Sequence, residues 1–122
     1  MRLLSSALAC FRHGCGMRTV AELSDLTGRS ALLTGGAGHI GLAAAEALLE
    51  LGASVAILDR DPEACRSRAA QLAARAGGQV LPIACDLEDE DATRAAARES
   101  IEALGGLDIL VHCAAYTGST RR

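Results

Sequence analysis

The chain has no lysine and no tryptophan, and its 122 residues include one Phe, one Tyr and two Pro. All 12 of its basic residues are arginine, so no chemistry that needs a lysine amine can run on its own side chains. Two aromatics, Phe11 and Tyr116, are too few for a base-stacking platform, and a formal net charge of −3 gives no basic surface for nucleic acid. No apolar run approaches the length of a membrane span. The five cysteines (10, 15, 65, 85, 113) contain no C-x-x-C pair, so neither a metal-ligand set nor a disulfide framework fits their spacing. They read as reduced thiols, which points to the cytoplasm.

Half of the residues are hydrophobic, and the length suits one domain with a modest core. The N-terminal stretch stands apart. Acids are absent until Glu22, and Arg2, Leu3, Leu4, Ala7, Leu8 and Ala9 give it a faint leader-like composition broken by Ser5 and Ser6. Three readings stay open: an over-extended start with Met17 as the natural one, an organelle-targeting peptide, or a secretory signal. Residues 1–25 are therefore expected to form an extension without regular structure.

From residue 30 the pattern alternates. Ser30–Thr34 reads as a buried strand. Ile40, Ala44, Ala47, Leu48 and Leu51 recur at helical spacing, so His39–Leu51 reads as a helix closed by Gly52, with Glu46 and Glu50 on its wet side. Val55–Leu58 is a continuous apolar run, as in a strand covered on both faces. Asp61-Pro62-Glu63 supplies a cap, a first-turn proline and an acid near the positive helix end, and Gly77-Gly78 stops that helix after Ala76. Val80–Ala84 is a third strand, placed at a sheet edge by Pro82. The acidic run Asp86–Asp91 leads into a helix at Ala92–Leu104, and Leu107–Cys113 forms a fourth strand. Strands joined by helical crossovers pair in parallel. The expected fold class is α/β, a doubly wound parallel sheet in the order 3-2-1-4, carried by residues 26–118, with 119–122 as a tail.

The segment richest in chemistry is Thr34-Gly35-Gly36-Ala37-Gly38-His39-Ile40-Gly41. A glycine turn between a strand and a helix brings backbone N–H groups and the positive helix end up to a phosphate. Asp59 follows roughly 20 residues after the last glycine, where a carboxylate can accept both hydroxyls of a ribose and repel a 2′-phosphate. That favours NAD over NADP, although Arg60 next to it could accommodate the phosphate. His39 at the helix mouth and His112 at a strand end each admit two readings, a cofactor contact or a tolerated polar residue. Neither has partners that suggest a metal site.

Over Leu26 to Gly118 the sequence resembles the short-chain dehydrogenase/reductase family. The resemblance rests on four stretches in order: the glycine turn, Asp59, Asp86-Leu87, and Leu107-Asp108-Ile109-Leu110-Val111-His112-Cys113-Ala114-Ala115, which is similar to the family's L-D-x-L-V-N-N-A-G strand. The turn departs from the usual T-G-x-x-x-G-x-G. Read as T-G-x-x-G-x-x-G, with Gly35, Gly38 and Gly41, it is also similar to the extended branch that includes nucleotide-sugar epimerases and dehydratases. The resemblance implies a truncated Rossmann fold and a nicotinamide dinucleotide held by Gly35, Gly38, His39, Ile40, Gly41, Asp59, Asp86, Leu87, Cys113 and Ala114. It implies hydride transfer to or from a carbonyl or alcohol carbon, and usually a homo-oligomer. The family's Tyr-x-x-x-Lys pair and serine lie after the fourth strand, and no residue here takes those roles, since Tyr116 is followed four residues on by Thr120. The expectation is the cofactor-binding half of such an oxidoreductase, inactive alone, which would meet a small-molecule substrate only in a full-length form. A small NAD-binding module without chemistry is the remaining alternative.

Overall fold

The computed structural model describes residues 17–115. The assignments made above for residues 1–16 and 116–122, including Tyr116, Gly118 and Thr120, lie outside the described residues. The elements run α1 (Val20–Ser24), β1 (Ser30–Thr34), α2 (His39–Glu50), β2 (Ser54–Asp59), α3 (Pro62–Ala76), β3 (Val80–Ala84), α4 (Glu90–Leu104) and β4 (Ile109–His112). The four strands form one parallel sheet in the order β3-β2-β1-β4.

Strand periodicity decides what each face buries, because successive side chains point to opposite sides. Ala31 and Leu33 of β1 and Val55 and Ile57 of β2 face α2 and α3, where they meet Ala45, Leu49, Cys65, Ala69 and Leu72. Leu32, Ala56 and Leu58 face the other way with Ile83 and Cys85, and α4 covers them through Ala96. All five residues of β1 are buried, as expected for a central strand between two helical layers. Each large aliphatic side chain withdrawn from water this way contributes about 1.5–3 kcal/mol. Cys65 belongs to this core: its thiol donates to the Ile57 carbonyl at 3.2 Å, and burial pushes its pKa up.

The strand carrying Pro82 lies at the sheet edge, where its missing N–H does least harm. At the opposite edge, β4 pairs only with β1 among the described strands, and Leu110 on it is 64% exposed.

Several boundaries differ from the sequence reading for visible reasons. The helix expected from Ala92 begins at Glu90, because Asp89 caps it by accepting the Ala92 N–H at 3.0 Å. The helix expected to reach Leu51 ends at Glu50, with Leu51 as its C-cap. β2 gains Ser54 and Asp59, which pair with Ser30 and Ala84. β4 is shorter than Leu107–Cys113, because its ladder with β1 spans only Ile109–His112. Asp108 and Cys113 continue that contact through single backbone bonds to the Ser30 and Thr34 carbonyls, 3.0 Å each.

The stretch before Ser30 also holds regular structure. α1 is closed by a capping box in which the Thr19 hydroxyl accepts the Glu22 N–H and the Glu22 carboxylate accepts the Thr19 N–H. The sequence signal was present as Thr19-Val20-Ala21-Glu22, and reading residues 1–25 as one extension passed over it. The following turn is tied to α2 by the Leu26 N–H donating to the Leu51 carbonyl at 2.8 Å.

Candidate nucleotide-binding site

Parallel strands all point their C-terminal ends the same way, and ligands of such sheets bind beyond those ends. Here a cleft of about 550 Å³ opens at that edge. Its walls come from four separate places in the sequence. The β1–α2 turn contributes Gly35 and Gly38, and the end of β2 contributes Asp59 and Arg60. The end of β3 contributes Asp86 and Leu87, and the end of β4 contributes His112, Cys113 and Ala114.

The turn is shaped by close approach. Gly35 has φ of +65°, which L side chains rarely adopt. A Cβ built on it would stand 2.8 Å from the Ala114 nitrogen. Gly41, buried in the first turn of α2, is pressed so closely on the Gly35 carbonyl that a side chain there would collide with backbone. Gly38 differs, since its added Cβ would meet only the Gly35 carbonyl, at 3.3 Å. The turn is pinned to β2 by the Gly36 N–H donating to the Leu58 carbonyl at 3.0 Å and the Ala37 N–H donating to Asp59 Oδ2 at 3.2 Å.

The start of α2 is chemically open. Side chains cap α1, α3 and α4 through Thr19, Asp61 and Asp89, whereas Gly38 at the head of α2 offers none. The first N–H groups of a helix have no partner within it. Those of His39, Ile40 and Gly41 are therefore left to an anion or to water, with the positive end of the helix dipole behind them.

Of the ten residues expected to bind cofactor, Gly35, Gly38, Asp59, Asp86, Leu87, Cys113 and Ala114 come together around the cleft. His39, Ile40 and Gly41 do not line it. Ile40 is 77% exposed and its apolar side chain offers a phosphate no donor, so what Ile40 and Gly41 contribute to a phosphate comes from their main chain. The cleft also brings in residues outside that set. His112 is the most informative of them, since its Nδ1 lies 2.6 Å from Thr34 Oγ1. The two residues are direct partners in the β1–β4 ladder, a register that the sequence pattern alone does not supply. Among the described residues, no cluster of three or more His, Cys, Asp or Glu is arranged to hold a metal ion. No described helix is long and apolar enough to cross a membrane.

The sequence profile described as short chain dehydrogenase matches residues 29–122. A 3-oxoacyl-[acyl-carrier-protein] reductase of rhamnolipid biosynthesis from Pseudomonas aeruginosa is 45% identical over 88 residues, covering 72% of this chain and 34% of its own length. A 2,5-dichloro-2,5-cyclohexadiene-1,4-diol dehydrogenase from Sphingobium indicum is 36% identical over 86 residues, covering 70% of this chain and 33% of its own. Among solved structures, an NAD+-bound xylitol dehydrogenase superposes with a TM-score of 0.73 at 32% identity, over 76% of this chain and 35% of that one. An NADPH-dependent 3-quinuclidinone reductase from Rhodotorula rubra gives 0.72 at 33% identity, over 77% and 35%. The chain thus spans about a third of the length of the relatives it matches.

Proposed function

The chain belongs to the short-chain dehydrogenase/reductase family, and from that premise we propose that residues 26–118 form its nicotinamide-dinucleotide-binding part, with NAD preferred over NADP. One observation carries the reading. The glycine turn, the carboxylate of Asp59 and the exit of β4 border a single cleft at the C-terminal edge of a parallel sheet. The parts match a dinucleotide. Bare backbone at Gly35 and Gly38 and the uncapped start of α2 suit a pyrophosphate. Asp59 Oδ2 is engaged by Ala37, and its Oδ1 has no hydrogen-bond partner among the described residues, which leaves it to accept from a ribose hydroxyl. A 2′-phosphate would bring further negative charge to this carboxylate, which supports the preference for NAD. Asp86 and Leu87, on the far wall, suit the adenine side of such a ligand.

When bound, the cofactor supplies or accepts a hydride. This chain's described residues hold and orient it. Tyrosine–lysine acid/base chemistry cannot be completed from its own residues, because it contains no lysine. The whole protein's reaction is proposed as hydride transfer between nicotinamide and a carbonyl or alcohol carbon of a small molecule. The similar proteins named above are dehydrogenases and reductases, which favours this over sugar-nucleotide epimerisation. Calorimetric titration of the folded chain with NADH and NADPH tests the binding reading. Saturable heat with NADH and weaker binding of NADPH is the expected result. Folded protein giving no heat with either would end it.

A further inference from the structure

Resting on that reading of the cleft, we propose that His112 is a positioning residue: its ring and the Thr34 hydroxyl form a clasp that fixes the distance between the glycine turn and the exit of β4. The two residues are ladder partners at the last rung of β1 and β4. Thr34 Oγ1 and His112 Nδ1 lie 2.6 Å apart, a strong hydrogen bond whichever of the two carries the proton. Thr34 is buried, so its hydroxyl has little access to water if the ring leaves, whereas His112 is exposed on a strand with no described neighbour on its outer side.

A second observation shows why this rung matters to a ligand. Just beyond the clasp, Gly35 and Ala114 already approach so closely that the space for a Cβ on Gly35 is gone. Both residues border the cleft. At the same end of the ladder, the Cys113 N–H donates to the Thr34 carbonyl at 3.0 Å. That backbone bond alone lets the end of β4, which has one strand neighbour among the described residues, fray. The side-chain bond adds a second tie at the same rung, so the turn and the β4 exit keep one spacing while the cleft is empty. The ligand then avoids the entropy cost of ordering those walls.

Two substitutions mimic one ring nitrogen each. The amide of His112→Asn stands near the place of Nδ1 and can keep the bond to Thr34. That of His112→Gln stands near the place of Nε2 and gives the bond up. Thr34→Ser keeps the hydroxyl and Thr34→Val removes it at nearly constant shape. Three readouts are taken on the full chain: NADH affinity by fluorescence titration, thermal melting, and the Gly35 and Ala114 amide signals of the nucleotide-free protein. The expected result is a roughly fivefold to tenfold loss of affinity in His112→Gln and Thr34→Val, with both amides displaced and the protein still folded. His112→Asn and Thr34→Ser should stay within about twofold of the parent.

Parent-like binding by His112→Gln would overturn the proposal. So would an Asn variant as weak as the Gln variant, which would make the far nitrogen a direct nucleotide contact. A loss of affinity that merely follows loss of folded protein would also overturn it. If the parent itself binds no nucleotide, the proposed function falls, and the amide signals still decide the clasp. Displacement in Gln but not Asn supports it, and no displacement in either refutes it.

Discussion

Asp59 Oδ2 accepts the backbone N–H of Ala37 at 3.2 Å, so the carboxylate that ends β2 also holds the glycine turn that follows β1. One side chain thereby links the two parts of the cleft proposed to hold the pyrophosphate and the ribose. Asp59→Ala should remove both functions and weaken NADH binding by roughly 10- to 100-fold, the range for losing a hydrogen bond to a charged group. Asp59→Asn keeps an acceptor for Ala37 and loses the charge. It should weaken NADH less and narrow the gap between NADH and NADPH. Parallel fluorescence titrations with the two nucleotides measure this, and an Ala variant that binds NADH like the parent would remove Asp59 from the site.

Two glycines of the same turn should separate folding from binding. At Gly41 an added methyl meets the Gly35 carbonyl inside the structure, so Gly41→Ala should destabilise by about 1–3 kcal/mol, as overpacked sites do. At Gly38 the φ of −76° is open to any residue, and the nearest atom to a new Cβ is 3.3 Å away. Gly38→Ala should therefore fold almost as the parent does while placing a methyl where the pyrophosphate is expected. Denaturant unfolding and nucleotide titration on both variants would show a stability defect in the first and a binding defect in the second. The reverse pattern would contradict the assignment of roles in the turn.

These pairs also mark what the sequence could and could not reveal. The apolar run Val55–Leu58 foretold a doubly covered strand, and Pro82 foretold an edge, because each is a local constraint with one structural solution. Asp61 and Pro62 fixed the start of α3 to the residue for the same reason. The gathering of Gly35, Asp59, Asp86 and Ala114 was legible through the family pattern and the strand order. The Asp59–Ala37 and Thr34–His112 bonds were not, since each depends on the distance between neighbouring strand ends, which composition and periodicity do not encode. Residues 20–24 were passed over because a five-residue helix has too few turns to show a period, and only its capping box marked it.

Asp108 should make stability depend on pH in the acid range. Its carboxylate accepts the Ser30 N–H at 2.9 Å and the Arg29 guanidinium at 3.1 Å, joining the start of β1 to the start of β4. The backbone bond first, and Arg29 second, hold its pKa below the ordinary carboxylate value. A carboxyl with a depressed folded pKa contributes stability above its unfolded value, near 3.9, and loses it as the pH falls through the folded value. Asp108→Asn should therefore melt below the parent at neutral pH, and the difference should close on acidification below about pH 4. Melting curves across that range test the sign. A gap that stays constant into strong acid would show that charge at Asp108 is not what stabilises the junction.

The thiols provide a probe of the cleft that needs no mutation. Cys65 is almost fully buried among β2, β3 and α3 and donates to the Ile57 carbonyl, and burial keeps its thiol protonated, so it should resist alkylation in the folded protein. Cys113 is only half-buried and borders the proposed nucleotide site. Iodoacetamide should modify Cys113 well before Cys65, as read by peptide mass mapping. Saturating NADH should slow modification of Cys113 severalfold and leave the rate at Cys65 unchanged, because a ligand in the cleft covers the first and has no contact with the second. If NADH protects neither thiol under conditions where it binds, the nucleotide does not sit against the exit of β4. If it protects both equally, the effect is a global tightening of the fold and not occupancy of the cleft.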